Sequence, residues 1–175
     1  MSGNNHVAFA LFTSTAFAFA CYTPEVPALS HPYLFVGCSV FGAAFLDFDS
    51  ENSRISKMLP ILSRLVRKLG GHRETFLHDV FFTLLTSAML YFFFPEISGV
   101  GFGMWTHILL DAMTIRGVSL LGMRVHILPK ALRFKSSGMI ATVVNTALIF
   151  LITYGTVRCF GELMLYNFVR SFPFI

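Results

Sequence analysis

Residues 138–157 read GMIATVVNTALIFLITYGTV, a run of twenty residues without a charged side chain. A helix of about 20 residues rises through roughly 30 Å, which is the thickness of the hydrocarbon core of a bilayer. The apolar residues form one block and do not alternate with polar residues at the spacing of a surface helix or strand. The stretch therefore predicts a helix that spans a membrane.

Similar apolar blocks occur along the rest of the chain, and the composition agrees with them. Hydrophobic residues make up 55% of the sequence and charged residues 13%, whereas a soluble domain carries about 25% charged residues. We expect an all-α, multi-pass helical membrane protein that forms a single domain over residues 1–175, with about five transmembrane helices and an amphipathic interfacial helix. The remaining predicted spans are residues 6–21, 33–46, 76–94 and 97–113, and residues 160–169 are predicted to form a short separate helix at the interface.

Basic residues indicate the orientation of the chain in the membrane. Of the thirteen Lys and Arg residues, six lie in the loop of about residues 50–75 and five in the loop of residues 114–137. The positive-inside rule places both loops and the N-terminus in the cytoplasm. The net charge of +4 then reflects topology and contact with anionic phospholipid, and no nucleic-acid partner is expected. Besides the lipid bilayer, a second copy of the chain or another membrane protein stays open as a partner.

The two basic loops differ in pattern. Residues 53–69 alternate apolar side chains with Arg and Lys, which predicts an amphipathic segment that Pro60 interrupts and that lies along the inner membrane surface. Residues 114–137 contain Gly117, Gly122 and Pro129, and these breakers predict an irregular loop.

Seven histidine and aspartate side chains lie at the ends of the predicted spans or beside them. Ionisable groups at the edge of a bilayer are costly unless they are paired, hydrated or bound to an ion. The predicted topology puts all seven at the cytoplasmic face, which indicates a metal site. The seven candidate ligands are His6, Asp47, Asp49, His72, His78, His107 and Asp111.

The aspartates and His107 each have a second interpretation. His107 and Asp111 are four residues apart on a predicted helix, so they share a face and suit one metal; a hydrogen bond that locks two helices is the alternative. Asp47 and Asp49 point in nearly opposite directions if the helix continues. They serve one site only if the chain leaves the helix there, as Ser50 indicates; two solvated carboxylates are the alternative.

The segment before the third predicted span carries its own candidates. His72 is predicted to lie in a loop after Gly70 and Gly71, and Thr75 is a candidate N-cap with His78 three residues later. Arg73 has the planar fork of donors that binds an anionic group such as phosphate. The alternative is that Arg73 and His78 extend to lipid headgroups. His31 and His126 are assigned no role.

These motifs, taken in order, resemble the YdjM-like family of bacterial inner-membrane, metal-dependent hydrolases. The resemblance covers residues 5–140. It rests on the runs FLDFDS at 45–50, LSRL at 62–65, HR at 72–73, HILLDAMT at 107–114 and GV at 117–118. The family's N-terminal histidine, Asp-x-Asp pair, His-Arg pair and His-x-x-x-Asp motif correspond to His6, to Asp47 and Asp49, to His72 and Arg73, and to His107 and Asp111.

The resemblance implies a metal-dependent hydrolase of the bacterial inner (cytoplasmic) membrane. The predicted level of the site, at the cytoplasmic headgroups, favours a lipid or phosphoester as its substrate. One or two divalent ions, Zn²⁺ from the histidines or Mn²⁺ from the carboxylates, would assist the reaction. Asp49 and Asp111 are the candidate general bases, and Arg73 is the third candidate catalytic residue. A membrane scaffold or accessory subunit with a structural or decayed metal site is the alternative function.

The sequence also departs from the family's pattern. Asn5 replaces the threonine before the first histidine, and Leu46 stands where the family has proline before the Asp-x-Asp pair. His78 lies one position beyond the family's second histidine in the third motif. Residues 139–145 lack the glutamate that the family carries there.

Overall fold

The computed structural model describes residues 3–20, 30–51, 53–68, 76–136 and 138–170. Their regular structure consists of seven α-helices, one β-hairpin and four short 3₁₀ helices, Asp47–Asp49, Phe76–His78, Pro95–Ile97 and Lys130–Leu132. The helices are α1 (Gly3–Ala20), α2 (Pro32–Leu46), α3 (Arg54–Met58), α4 (Pro60–Arg67), α5 (Val80–Phe93), α6 (Gly99–Ala112) and α7 (Met139–Arg170). The strands β1 (Val118–Leu120) and β2 (Met123–Val125) pair antiparallel. The predicted all-α class is confirmed.

Two helical stretches within these described residues are long and apolar enough to cross a membrane, Pro32–Asp49 and Met139–Arg158. The sequence predicts five spans, and the other three correspond to helices that do not meet these criteria of length and hydropathy. Helices α5 and α6 have 14 residues each, a rise of about 21 Å. Helix α1 has 18 residues but carries Asn, His, Ser and Thr side chains among its apolar ones.

The prediction of a separate helix over residues 160–169 is wrong. Helix α7 runs without interruption from Met139 to Arg170. The stretch contains no proline, and a single glycine such as Gly161 costs a helix only about 1 kcal/mol. The charged residues that flank residues 160–169 are therefore compatible with one continuous helix.

Helices α2 and α6 pack at close range because both carry glycine at their contact. A methyl group on Gly103 of α6 would overlap the carbonyl group of Ser39, and one on Gly42 of α2 would overlap the carbonyl group of Val100. Small residues let helix backbones approach each other in this way in membranes. Beside this contact, Leu46, Met104 and Ile108 belong to the main buried apolar cluster.

The basic segment after α2 is helical and broken at Pro60, as the sequence predicts. Helix α3 ends before Leu59, and α4 begins at Pro60, whose ring suits the first turn of a helix. The Ser63 hydroxyl donates a hydrogen bond of 2.9 Å to the carbonyl oxygen of Phe48. Helix α4 is thus fastened to the turn that follows α2.

Asp79, and not the predicted Thr75, is the N-cap of α5; Thr75 lies outside the described residues. The Asp79 carboxylate accepts the backbone N–H of Phe81 at 2.9 Å, the N–H of Leu121 at 2.7 Å and the Ser119 hydroxyl at 2.8 Å. Partial burial opposes ionisation, but these hydrogen bonds outweigh it and hold the pKa of Asp79 below its ordinary value. The cap also ties the β-hairpin to α5.

The hairpin lies inside the loop that the sequence predicts to be irregular. Leu121 and Gly122, between the two strands, have φ values of 51° and 84°. Positive φ at both central residues is the signature of a type I′ turn, whose twist matches that of the strands. The glycine at the second position therefore closes a hairpin and does not merely break a helix.

We predict that Gly103→Ala destabilises the fold by about 1–3 kcal/mol, because the methyl group forces α2 and α6 apart. Thermal unfolding in detergent measures the change. Gly37→Ala is the matched control, since a methyl group at Gly37 of α2 meets no atom within 4 Å. Equal melting temperatures for the two variants would contradict the close packing of the helices.

Candidate metal centre

Six of the seven predicted ligands converge from four segments of the chain. His6 lies near the start of α1, Asp47 and Asp49 form the turn after α2, His78 precedes α5, and His107 and Asp111 lie near the end of α6. All six are buried, and only Asp47 keeps measurable exposure, at 8%. His72 and Arg73 lie outside the described residues, so their predicted roles stay predictions.

The chain leaves the helix where the sequence requires it. Helix α2 ends at Leu46, and Asp47–Asp49 form a single 3₁₀ turn before Ser50 becomes extended. The tighter turn lets both carboxylates face the interior instead of pointing in opposite directions. Their burial excludes the alternative of two solvated carboxylates.

His107 is the centre of the cluster, and its orientation is fixed by the backbone of α2. Its Nδ1 lies 2.7 Å from the carbonyl oxygen of Ala43. A carbonyl oxygen only accepts, so Nδ1 carries the hydrogen and Nε2 of the neutral ring carries the lone pair. Nε2 lies 3.5 Å from Oδ2 of Asp111 and 3.9 Å from Oδ1 of Asp47. The lone pair of Nε2 in the neutral ring therefore faces two carboxylates, which are acceptors as well, so these three groups suit a shared cation better than a hydrogen bond.

The other two histidines pack on His107. The His6 ring stacks on it with the centroids 3.7 Å apart and the planes 9° from parallel, and the His78 ring approaches at 5.3 Å and 71°. Nε2 of His6 lies 3.3 Å from Oδ1 of Asp111, and Nδ1 of His78 lies 3.4 Å from Oδ2 of Asp49. Each histidine thus has a carboxylate beside it.

Helix α1 supplies part of the compensation that Asp47 needs. A carboxylate after the end of α2 opposes the dipole of that helix. A Cβ atom added to Gly3, the first residue of α1, would lie 2.9 Å from Oδ2 of Asp47. The carboxylate therefore abuts the first turn of α1, where the free backbone N–H groups favour an anion.

The donors fit a divalent cation. Two trios have ligand atoms within 4.8 Å of one another: His6, His107 and Asp111, and Asp47, His78 and His107. Imidazole nitrogen and carboxylate oxygen are ligands of Zn²⁺ and Mn²⁺. Both ring nitrogens of His6 and Nε2 of His107 are buried and make no hydrogen bond in the described part of the chain.

Ion pairs between histidine and aspartate explain the cluster less well than a metal does. Charge-assisted hydrogen bonds measure about 2.7–2.9 Å, and the four His–Asp distances here are 3.3–3.9 Å. Two imidazolium rings stacked at 3.7 Å would also repel each other, so His6 and His107 cannot both carry a charge at low cost. Three carboxylates and at least one neutral imidazole ring therefore lie together, and this donor set suits a cation.

His31 and His126, which the sequence analysis assigns no role, belong to neither trio. His31 precedes α2, at the opposite end of that helix from the Asp47–Asp49 turn. The Nε2 atom of His126 lies 3.0 Å from the carbonyl oxygen of Ile115. Sequence reasoning did not find the carbonyl group of Ala43 or the position of Gly3, because both act through their backbone and leave no side-chain signal.

Comparison with known proteins bears on the same residues. The sequence model of the YdjM inner membrane protein family matches residues 1–158. The uncharacterized protein YvsG of Bacillus subtilis (strain 168) is 32% identical over 124 residues, which cover 69% of this chain and 72% of YvsG. No solved structure matches the chain.

We predict that His107→Ala lowers the affinity for zinc by more than the roughly 10–100-fold typical of losing an outer-shell partner, because it removes the nitrogen common to both trios. Metal analysis of the purified protein and competition with a chelating dye measure the loss. His126→Ala is the control and should keep full metal content. Unchanged zinc affinity in the His107 variant would contradict a metal centre at this position.

Proposed function

Because the chain belongs to the YdjM inner membrane protein family, we propose that it is a metal-dependent hydrolase embedded in the bacterial inner membrane. The observation that carries this proposal is the convergence of three histidines and three aspartates from four segments: two trios share His107, and Asp49 lies beside His78. Enzymes that carry out metal-assisted hydrolysis bind their metal through imidazole nitrogens and carboxylate oxygens of this kind.

The proposal includes five spanning helices, α1, α2, α5, α6 and α7, with the N-terminus in the cytoplasm. Along the chain, the site residues lie at the start of α1, the end of α2, the start of α5 and the end of α6. Helices that cross a membrane in alternate directions bring these four ends to the same side. The two loops rich in Lys and Arg lie at those ends as well, which makes that side cytoplasmic.

A bound divalent ion would polarise an oxygen atom of the substrate and lower the pKa of a water molecule at the site. The protein's own residues prepare this chemistry. The carbonyl group of Ala43 holds His107 in one orientation, and Asp49 lies beside Nδ1 of His78, where it orients that ring. Asp49 or Asp111 accepts the proton of the water, and Arg73 binds an anionic group of the substrate.

The number of ions is limited by His107. Its Nδ1 is committed to Ala43, so the ring has one lone pair for the two trios. A single ion, or two ions of which only one binds His107, fits this constraint. The level of the site, next to the cytoplasmic ends of the helices, favours a lipid or a phosphoester of the headgroup region as the substrate.

A membrane scaffold with a structural metal site is the second candidate, and burial favours it. Structural metal sites are closed, whereas catalytic sites keep one position open to water or substrate. Five of the six donors here are completely buried. Residues 139–145 also contain no carboxylate in place of the family's glutamate.

Activity and stability separate the two functions. If the protein is a hydrolase, Asp49→Asn abolishes the metal-dependent hydrolysis of bis-p-nitrophenyl phosphate or of a fluorogenic phospholipid. In the wild type, chelation removes this activity, and added Zn²⁺ or Mn²⁺ restores the original rate. For a scaffold, no hydrolysis appears, and chelation lowers the melting temperature by an amount that corresponds to about 2.7 kcal/mol at metal concentrations 100 times the dissociation constant.

Glu51→Gln is the matched control, because Glu51 is an exposed acidic residue two positions from Asp49 and outside the cluster. This variant should keep the hydrolysis rate and the melting temperature of the wild type. Neither hydrolysis nor metal-dependent stability in the wild type would contradict both functions.

Topology is tested by labelling single cysteines in a background without Cys21, Cys38 and Cys159. Lys57→Cys and Lys130→Cys should resist an impermeant maleimide in intact cells and react after permeabilisation, because both loops face the cytoplasm. His31→Cys and Pro95→Cys should react in intact cells. Labelling of position 57 or 130 from outside would overturn the orientation and the cytoplasmic site.

A further inference from the structure

Helices α3 and α4 present an exposed face, named here the basic surface, that combines apolar side chains with cations. Ile61 is 82% exposed, Met58 78% and Leu65 58%. The whole segment of residues 53–68 carries five basic residues and no acidic one. The basic surface consists of Lys57, Met58, Ile61, Arg64, Leu65 and Lys68.

We propose that the basic surface docks on anionic phospholipid of the membrane in which the protein resides. Apolar side chains beside Lys and Arg are the combination by which interfacial helices bind such lipid, since the apolar face enters the headgroup boundary and the cations contact the phosphates. The charge of the segment is complementary to that surface. A neutral or basic partner would leave the cations uncompensated.

The geometry of α4 separates the two kinds of contact. Ile61 and Leu65 are four residues apart and share one face of the helix, and Arg64 and Lys68 share the neighbouring face. Neither Arg64 nor Lys68 forms an ion pair within the described part of the chain. Arg67 differs, because its guanidinium donates to the Ser63 hydroxyl at 3.0 Å and lies 3.9 Å from Glu51. Two cations are therefore left to face a partner.

The contacts that attach α4 to the end of α2 determine the depth at which α4 lies relative to the membrane. The candidate span Pro32–Asp49 ends immediately before the segment, and Ser63 is hydrogen-bonded to Phe48 within that last turn. Val66 packs on the main apolar cluster, to which Leu46 belongs. A helix fastened by its inner face to the end of a spanning helix lies at the level of the headgroups, and its outer face meets lipid there.

This inference does not depend on the hydrolase. It adds a lipid contact outside the metal centre, made by residues that are not metal ligands. It also predicts that the docked state persists in a protein whose metal has been removed.

Tryptophan fluorescence tests the docking. In a Trp105→Phe background, Ile61→Trp places the single tryptophan on the basic surface, and the protein is reconstituted into nanodiscs of phosphatidylglycerol or of phosphatidylcholine. Brominated phosphatidylglycerol should quench the fluorescence, and acrylamide should quench it less in phosphatidylglycerol than in phosphatidylcholine. Chelation of metal should change neither result.

Charge neutralisation identifies the cations. Arg64→Gln with Lys68→Gln should shift the equilibrium toward the undocked state by roughly 30-fold, at the strength of two basic contacts with anionic lipid, and acrylamide quenching should rise. The exchange Arg64→Lys with Lys68→Arg should keep the docked state. Lys130→Gln, on the other basic loop, should leave the acrylamide quenching of the tryptophan at position 61 unchanged. The melting temperature of each variant verifies its fold.

Equal acrylamide quenching in the two lipids, with no quenching by brominated phosphatidylglycerol, would overturn the proposal. It would leave the basic surface open to a protein partner. Quenching by brominated lipid that is insensitive to the neutralised pair would overturn the role of Arg64 and Lys68.

Discussion

The carboxylates of Asp47, Asp49 and Asp111 are almost completely buried, and their negative charge must be compensated inside the protein. The structure supplies several partial remedies: histidines beside each carboxylate, and the first turn of α1 against Asp47. None of the His–Asp distances reaches that of a charge-assisted hydrogen bond. A bound cation, as proposed above, would complete the compensation at the point where the four chain segments meet.

The close packing of α2 and α6 positions one residue of the same cluster. His107 of α6 reaches the carbonyl group of Ala43 only because the two backbones approach each other, and the glycines at positions 42 and 103 permit that approach. If the two helices were farther apart, the His107 ring would lose its hydrogen bond to Ala43, and its lone pair would no longer point in one fixed direction. Packing of small residues and orientation of a ligand are therefore one structural feature and not two.

The sequence alone predicts those features that depend on the chemistry of individual side chains and on the position of hydrophobic blocks. It predicts the helical class, the break at Pro60, the turn after α2 and six candidate ligand residues, which the structure brings together. It missed what depends on backbone and on long-range contact. The pair Leu121-Gly122 is a much weaker signal for a hairpin turn than Asn-Gly, so the sequence predicts an irregular loop where the structure has a hairpin. Asp79 caps α5 through the N–H groups of Phe81 and Phe82, and it also binds Ser119 and Leu121, which sequence does not place near it.

The distance along the chain between His6 and Asp111 has a consequence for biogenesis. Both residues belong to one trio, yet the first leaves the ribosome with the N-terminus and the second only after α6 has been synthesised. Until then, the carboxylates of the turn after α2 lack part of the surroundings that they have in the folded protein. The cluster is therefore assembled late in synthesis, because His107, which both trios share, is supplied by α6.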